Sequence, residues 1–275
     1  MAKIRGFQTN MMSIRDSRKS INEVTKSTQR LASGSRIASA SDDVAGQSSA
    51  VSSEAKIRGK IQAGRNATDA VSMLQIMDGG MQEIGEMIVR VRELAINAAS
   101  DTVSDIEREM IDLESKGLLR EVSRIAKTSN YLNQNLLVGD ERKLRIKIDT
   151  GGTSNDSISF DLKDMAQTPY ALGVSDVSLT RQHRATISLA KLDYALTALG
   201  DSRAKVGGTL KRLSSANSKL SNDVVQESKV KSNYEDVDYA SESAKLTSSK
   251  IQANASQAVL AQSVGSGMDY IKLID

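Results

Sequence analysis

The sequence contains no cysteine, no tryptophan, a single proline (Pro169), a single histidine (His183) and few aromatic residues, 3% of 275. Without cysteine there can be no disulfide and no thiolate metal site, and the absence fits any compartment. With His183 the only histidine and no cysteine, neither a triad nor a zinc site using several His or Cys ligands is expected, nor any catalytic residue, metal or cofactor. With hydrophobic residues at only 39%, the bulky side chains that usually dominate an enzyme core are missing. No run of about 18 apolar residues occurs, so no membrane span is expected. The opening MAKIRGFQTNMM lacks the apolar stretch of a cleavable secretory signal. The net charge of +3 is spread without a long basic run, which argues against a nucleic-acid partner.

What is abundant is alanine, serine, lysine, glutamate and leucine, a composition suited to long helices packed along thin seams. Residues 1–31 place Ile4, Phe7, Met11, Ile14, Ile21, Val24 and Leu31 at helical spacings, interrupted by Arg18 and Lys19. Ordering such a segment costs on the order of 30–60 kcal/mol of backbone entropy. Seven side chains at roughly 1.5–3 kcal/mol each do not offset that, so the segment needs a partner to be helical. Gly34 can end this helix with a positive φ. Ser39, Ser41 and the Asp42-Asp43 pair can cap the next one. Ala40, Ala45, Gly46 and Ala50 then keep the new helix thin enough for another backbone to approach.

Residues 44–99 read as one long helix. From Leu74 a 3-4 alternation runs through Met77, Met81, Ile84, Ile88, Val91, Ala95 and Ala98, the seam of a coiled coil or long bundle. The break at Ser100–Ser104 predicts a hairpin turn. A second helix follows, with Ile111, Leu118, Val122, Ile125 and Leu132 on its seam. Leu144, Ile146 and Ile148, then Ile158, Phe160 and Leu162, alternate with polar residues around TGGTSND, which predicts a β-hairpin at about 142–162, with Pro169 and Gly173 in the loop that follows. Helix resumes near Thr180 with Leu189, Leu192, Leu196, Leu199, Val206, Leu210, Leu213, Leu220 and Val224 in register. Arg203 and Asn217 interrupt that seam, a device that can fix register. The last 40 residues offer mostly alanine, with Leu246, Ile251, Val259, Leu260 and Val264 for bulk. The expected fold is mainly α: a long antiparallel helical bundle of the N- and C-terminal halves with a small β-hairpin mid-chain. Terminal helices 1–43 and 236–275 would form one domain, and 44–235 a helical core domain.

Other motifs carry little chemistry. Adjacent carboxylates after Ser41 read as caps rather than metal ligands. Ser202-x-x-Lys205 has serine–lysine nucleophile spacing but lies inside a heptad helix without companion motifs. Gly265-Ser-Gly267 lacks a preceding strand and a third glycine. Met73, Met77, Met81 and Met87 read as core filler. No enzyme activity is expected.

The sixteen residues from Leu31 to Gly46 resemble the signature of bacterial flagellins at Leu31, Ser33-Gly34, Arg36-Ile37, Ser39-Ala40, Asp42-Asp43 and Ala45-Gly46. Arg90-Val-Arg-Glu-Leu94-Ala95, Tyr131 to Leu137, Asp236-Val-Asp238-Tyr239-Ala240 and Val259-Leu-Ala-Gln262 resemble further motifs of that family. The resemblance covers residues 20–140 and 185–265, in a short form without variable outer domains. It implies a structural subunit that polymerises into a helical filament for motility. The terminal helices would form the inner filament domain, and the signature residues and Asp236–Ala240 would lie at subunit interfaces. It also implies secretion through the flagellar export apparatus to the extracellular flagellum. The implied partners are hook-associated and cap proteins, an export chaperone at the C-terminal segment and, in a vertebrate host, a Toll-like receptor at Arg90, Leu94 and Glu114. The alternative within the same fold is a hook–filament junction protein. That relative often has proline after the paired aspartates, where Val44 stands here.

Overall fold

A computed structural model describes residues 2–153 and 156–272, with side-chain surroundings described for 11–153 and 156–262. Ser154 and Asn155 of the expected hairpin turn lie outside the described residues, as do the side chains of Ile4, Phe7 and Val264. The elements run α1 (Ala2–Ser33), α2 (Val44–Ala98), α3 (Asp105–Thr128), β1 (Asn130–Tyr131), β2 (Gln134–Asn135), β3 (Lys143–Lys147), β4 (Ser157–Asp161), a short 3-10 turn (Lys163–Met165), α4 (Gln182–Glu235) and α5 (Tyr239–Lys272). The mainly α architecture with small mid-chain β-hairpins matches the expectation. The chain divides into two compact units, Met1–Ile57 with Val225–Asp275, and Arg58–Val224. The division falls inside α2 and α4 rather than at their ends.

In the unit Arg58–Val224, every seam residue of α2 from Leu74 to Ala98 at 3-4 spacing is fully buried, as are Leu192, Val206 and Leu213 of α4. At the interrupted seam position, Arg203 Nε donates to Asp78 Oδ1 at 2.9 Å, so the polar residue is matched by a carboxylate on the facing helix. The β3–β4 register pairs Leu144 with Phe160 and Ile146 with Ile158. Ile158 and Phe160 are buried in the core, while Lys143, Arg145 and Lys147 alternate outward.

The turn between α2 and α3 is held by an arginine. Arg108 is buried, and its guanidinium donates to the carbonyls of Ala98 (2.9 Å) and Ser100 (2.8 Å) and to Asp105 (2.8 Å). It thereby satisfies acceptors that the end of a helix leaves open. Ser104 and Glu107 form a capping box at the start of α3. The Ser104 amide, contributing most, and the Ser104 hydroxyl both donate to the Glu107 carboxyl and hold it below the ordinary carboxylate range.

Two features depart from the sequence reading. Leu132, expected on the α3 seam, is 80% exposed at φ +48°, followed by Asn133 at φ +63°. The α-helix has already ended at Thr128, and these two residues form the tight turn between β1 and β2, of the kind that needs positive φ twice. The segment after the hairpin, expected to be a loop around Pro169 and Gly173, is instead core. Leu162, Met165, Leu172, Val174, Val177 and Leu179 are all buried. Its backbone is tied to α3 through the Leu179 amide, which donates to the buried Asp112 carboxylate at 2.6 Å.

Candidate assembly site

In the other unit, two motifs separated by about 200 residues close on each other. α1 stops at Ser33 because Gly34 takes φ +71°, with its amide donating to the Arg30 carbonyl at 2.9 Å. A Cβ at Gly34 would stand 3.1 Å from the Tyr239 hydroxyl. The chain then runs extended against the α4–α5 junction. Ser35 bridges Asp236 in antiparallel fashion, the Arg36 amide donates to the Glu235 carbonyl (2.6 Å), and the Val237 amide donates to the Gly34 carbonyl (3.0 Å). The Arg36 guanidinium donates to the Tyr234 carbonyl through Nη2 (2.8 Å) and Nε (3.3 Å), capping the C-terminal end of α4. Ile37 and Val237 are buried beneath this bridge. Leu31 is half-buried on α1, and the Ser33 hydroxyl accepts from the Ser35 amide at 3.2 Å.

The four expected capping residues divide their work. Asp43 alone caps α2, its Oδ1 accepting from the Gly46 amide at 2.9 Å. Asp42 accepts from the Ser39 amide (3.2 Å), and the Ser39 and Ser41 hydroxyls share a hydrogen bond (2.8 Å), so these three build the preceding turn. Burial raises the Asp42 pKa, but the Ser39 amide with Lys26 and Arg30 outweighs it and holds the carboxyl below its ordinary range. Asp238 caps α5 by accepting from the amides of Ala240 (3.0 Å) and Ser241 (3.3 Å). Asp236 accepts a short hydrogen bond from the Ser232 hydroxyl.

Gly46 corrects the idea that the small residues simply leave room for a neighbour. It is buried, and a Cβ there would lie 2.5 Å from Asp43 Oδ2 and 2.8 Å from Ile37 Cδ1. Its space is taken by its own chain: the cap on one side and the junction's apolar residue on the other. Ala40 and Ala45 are exposed.

α1 and α5 pack on one another, with ion pairs Lys245–Glu23 (3.6 Å) and Arg30–Glu242 (3.9 Å) along the pair. Among the described side chains, the buried positions are Ser20 and Ser27 on α1 and Glu242, Ser249 and Ala253 on α5, four of the five polar. The Ser27 hydroxyl and Glu242 Oε1 have no hydrogen-bond partner. Of the expected apolar side chains, Val24, Leu31, Leu246 and Leu260 are half-buried, while Met11 (56%), Ile21 (43%), Ile251 (64%) and Val259 (52%) are exposed.

In the unit Arg58–Val224, Arg90 and Glu114 are brought together at 3.2 Å across α2 and α3, and Arg90 also donates to Glu93 at 3.1 Å. Leu94 is not beside them on the surface. It lies in the core, because it belongs to the inward face of α2 with Val91 and Ala95. Ser202 and Lys205 are engaged elsewhere, Ser202 with the Ala198 carbonyl (3.0 Å) and Lys205 with Asp164 (3.3 Å). Among the described residues no three His, Cys, Asp or Glu side chains are grouped to hold a metal ion, and no helix is long and apolar enough to cross a membrane.

Sequence reading located both motifs but not their meeting, since nothing local in Arg36 or Tyr234 announces a partner 198 residues away. Comparison with known proteins gives a consistent answer. The bacterial flagellin N-terminal helical region matches residues 7–142, and the C-terminal helical region matches 189–264. A flagellin of Halalkalibacterium halodurans is 31% identical over 244 residues, covering 88% of each chain. The crystal structure of Bacillus cereus flagellin superposes with a TM-score of 0.51 at 25% identity, covering 57% of this chain and 88% of that one. A putative flagellar hook-associated protein from Vibrio parahaemolyticus has a TM-score of 0.57 at 14% identity, covering 71% of this chain and all of that one; that likeness is one of fold.

Proposed function

The chain belongs to the bacterial flagellin family, and from that premise we propose that it works as follows. It is the repeating structural subunit of an extracellular flagellar filament used for motility, with no catalytic role. The terminal helices, about 1–43 and 236–275, form the inner filament layer, and 44–235 forms the domain outside it. The signature residues and Asp236–Ala240 tie the two ends of the chain at their junction, so the inner helix pair is presented as one piece to neighbouring subunits. The subunit leaves the cell through the flagellar export apparatus, an export chaperone holds its C-terminal segment, and hook-associated and cap proteins bound the finished polymer.

The observation that carries this reading is the α1–α5 pair. Among its described side chains it buries three serines, a carboxylate and only one alanine, while leaving Met11, Ile21, Ile251 and Val259 exposed. A helix pair with its apolar groups outside is stabilised when other copies cover them. Electron microscopy of the purified protein after seeding with filament fragments tests it: long tubes are expected. Short rings or end caps would favour the hook–filament junction alternative, and no assembly would overturn both.

A further inference from the structure

Between the β3–β4 hairpin and α4 lies a cleft of about 470 Å³. The hairpin side supplies the aliphatic side chains of Ile148 and Ile158, and α4 supplies Gly208, Lys211, Arg212 and Ser215. These four, with Lys219 beyond them, recur at steps of three and four residues and so share one face of the helix. The cleft is open because the helix is thin at this point. A Cβ at Gly207 or Gly208 would meet nothing within 4 Å. Glycine is unfavourable in a helix interior, so the adjacent pair costs helix stability and close packing does not explain it.

The charge of this face has one sign. From Ser202 to Asn222, α4 carries five bases and no acid. Arg203 and Lys205, at the start of that run, are matched by Asp78 (2.9 Å) and Asp164 (3.3 Å). Lys211, Arg212 and Lys219 are exposed and have no carboxylate partner among the described residues. No acid lines the cleft. The acids next to its hairpin residues are taken up inside the turn: Asp149 accepts from the Thr150 amide (2.7 Å), and Asp156 from the amide and hydroxyl of Thr153 (2.7 Å each). Asp161, further along β4, pairs with Lys143 at 3.5 Å.

Unpaired cations beside a hydroxyl and an aliphatic floor suit a ring that has acid groups at its edge and C–H bonds on its face. No aromatic side chain lines the cleft for a nucleobase to stack on. We propose that this cleft binds an acidic polysaccharide. One sugar ring lies on Ile148 and Ile158, and its carboxylate or sulfate group meets Lys211 and the planar fork of Arg212. Ser215 donates to a sugar hydroxyl. Lys219 stands roughly 11 Å further along α4, about the length of a disaccharide, and takes the next anionic group. The site lies within one chain, so it goes beyond the filament reading and does not depend on assembly.

The test uses full-length monomer titrated at low salt with two fluorescent probes, an alginate oligomer (a polyuronate) and a heparin oligomer (sulfated). At least one should bind and be released as salt is raised. Neutral dextran, and single-stranded DNA and poly-glutamate of equal charge, should bind at least about tenfold more weakly. Lys211→Glu with Arg212→Glu, both at exposed positions, should weaken saccharide binding by about tenfold or more. Arg18→Glu with Lys19→Glu, the same change of charge on α1, should leave it within about twofold. Gly208→Leu has open space for its side chain and leaves the charge unchanged. It should keep the melting temperature yet fill the cleft and weaken binding by about fivefold or more, an effect that diffuse attraction of a polyanion would not show. No binding of either oligomer, equal binding of dextran, DNA or poly-glutamate, or full affinity in the Lys211/Arg212 or the Gly208 variant would overturn the assignment, and each would leave the filament reading intact.

Discussion

Leu132 offers the sharpest test of the structure against the periodicity of the sequence, because the two predict opposite signs. As a seam residue, Leu132→Ala would cost about 2–5 kcal/mol. In the structure the side chain is 80% exposed and the backbone sits at φ +48°. A left-handed conformation costs an L-residue with a Cβ roughly 1–2 kcal/mol, and asparagine bears it better through local hydrogen bonding. Leu132→Ala should therefore change stability by no more than about 0.5 kcal/mol. Leu132→Asn should stabilise by about 1 kcal/mol, a rise in melting temperature of roughly 2–4 °C for a chain of this size. Leu132→Gly should fall between them, since relief of the φ strain is partly offset by a freer unfolded chain. Thermal unfolding of the monomer, followed by circular dichroism, measures all three. A loss above about 2 kcal/mol in the alanine variant, at the low end of core truncations, would show that this leucine is packed and the turn misplaced.

Four further outcomes are expected. Gly46→Ala gains about 1 kcal/mol of helix propensity, but it displaces the Asp43 cap or Ile37 and should lose about 1–3 kcal/mol net; faster amide exchange over residues 44–50 would report it, and Ile37→Val, which removes the Cδ1 that a Cβ would meet at 2.8 Å, should restore part of the protection. Glu107, whose folded pKa is depressed by the Ser104 amide, stabilises the start of α3 above the ordinary carboxylate range and loses that contribution as pH falls through its folded pKa; exchange at the Ile106–Glu109 amides should rise at acid pH in wild type, and an unchanged profile would remove the capping box as a pH-sensitive element. Residues 1–40 and 236–275 should exchange rapidly in the monomer and slowly in the filament, because among their described side chains α1 and α5 fully bury serines, a carboxylate and a single alanine but no large apolar group; strong protection of both ends in the monomer would contradict this. If a vertebrate Toll-like receptor reads this chain, it meets Arg90 and Glu114 as an ion pair, with Leu94 acting from the core; Arg90→Ala should then weaken a reporter-cell response to monomer, and equal responses would remove Arg90 from the contact.

Much of this molecule was legible because helices and strands write their periods locally. The α2 seam from Leu74 to Ala98, the alternation of β3 and β4, the break before Ser104 and the positive φ of Gly34 each depend on residues within a turn or two of one another. The fully buried seam follows from 3-4 spacing alone. What the residues alone could not reveal are matters of distant pairing. Nothing in the sequence around Arg108 and Asp112 marks them as buried, yet they are, because the α2 carbonyls and the Leu179 amide come to meet them. The segment from Leu162 to Leu179 has no clean period, so its burial appears only once α3 and α4 supply the walls. Gly46 looked like a gap kept open for a neighbour, and Leu132 like a seam residue. Tertiary structure filled the first with Ile37 and turned the second outward on a two-residue turn. The physical reason is common to all of these. Periodicity determines which face of an element is apolar, but backbone donors and acceptors at the ends of elements must also be satisfied, and only the folded chain decides which distant group satisfies them.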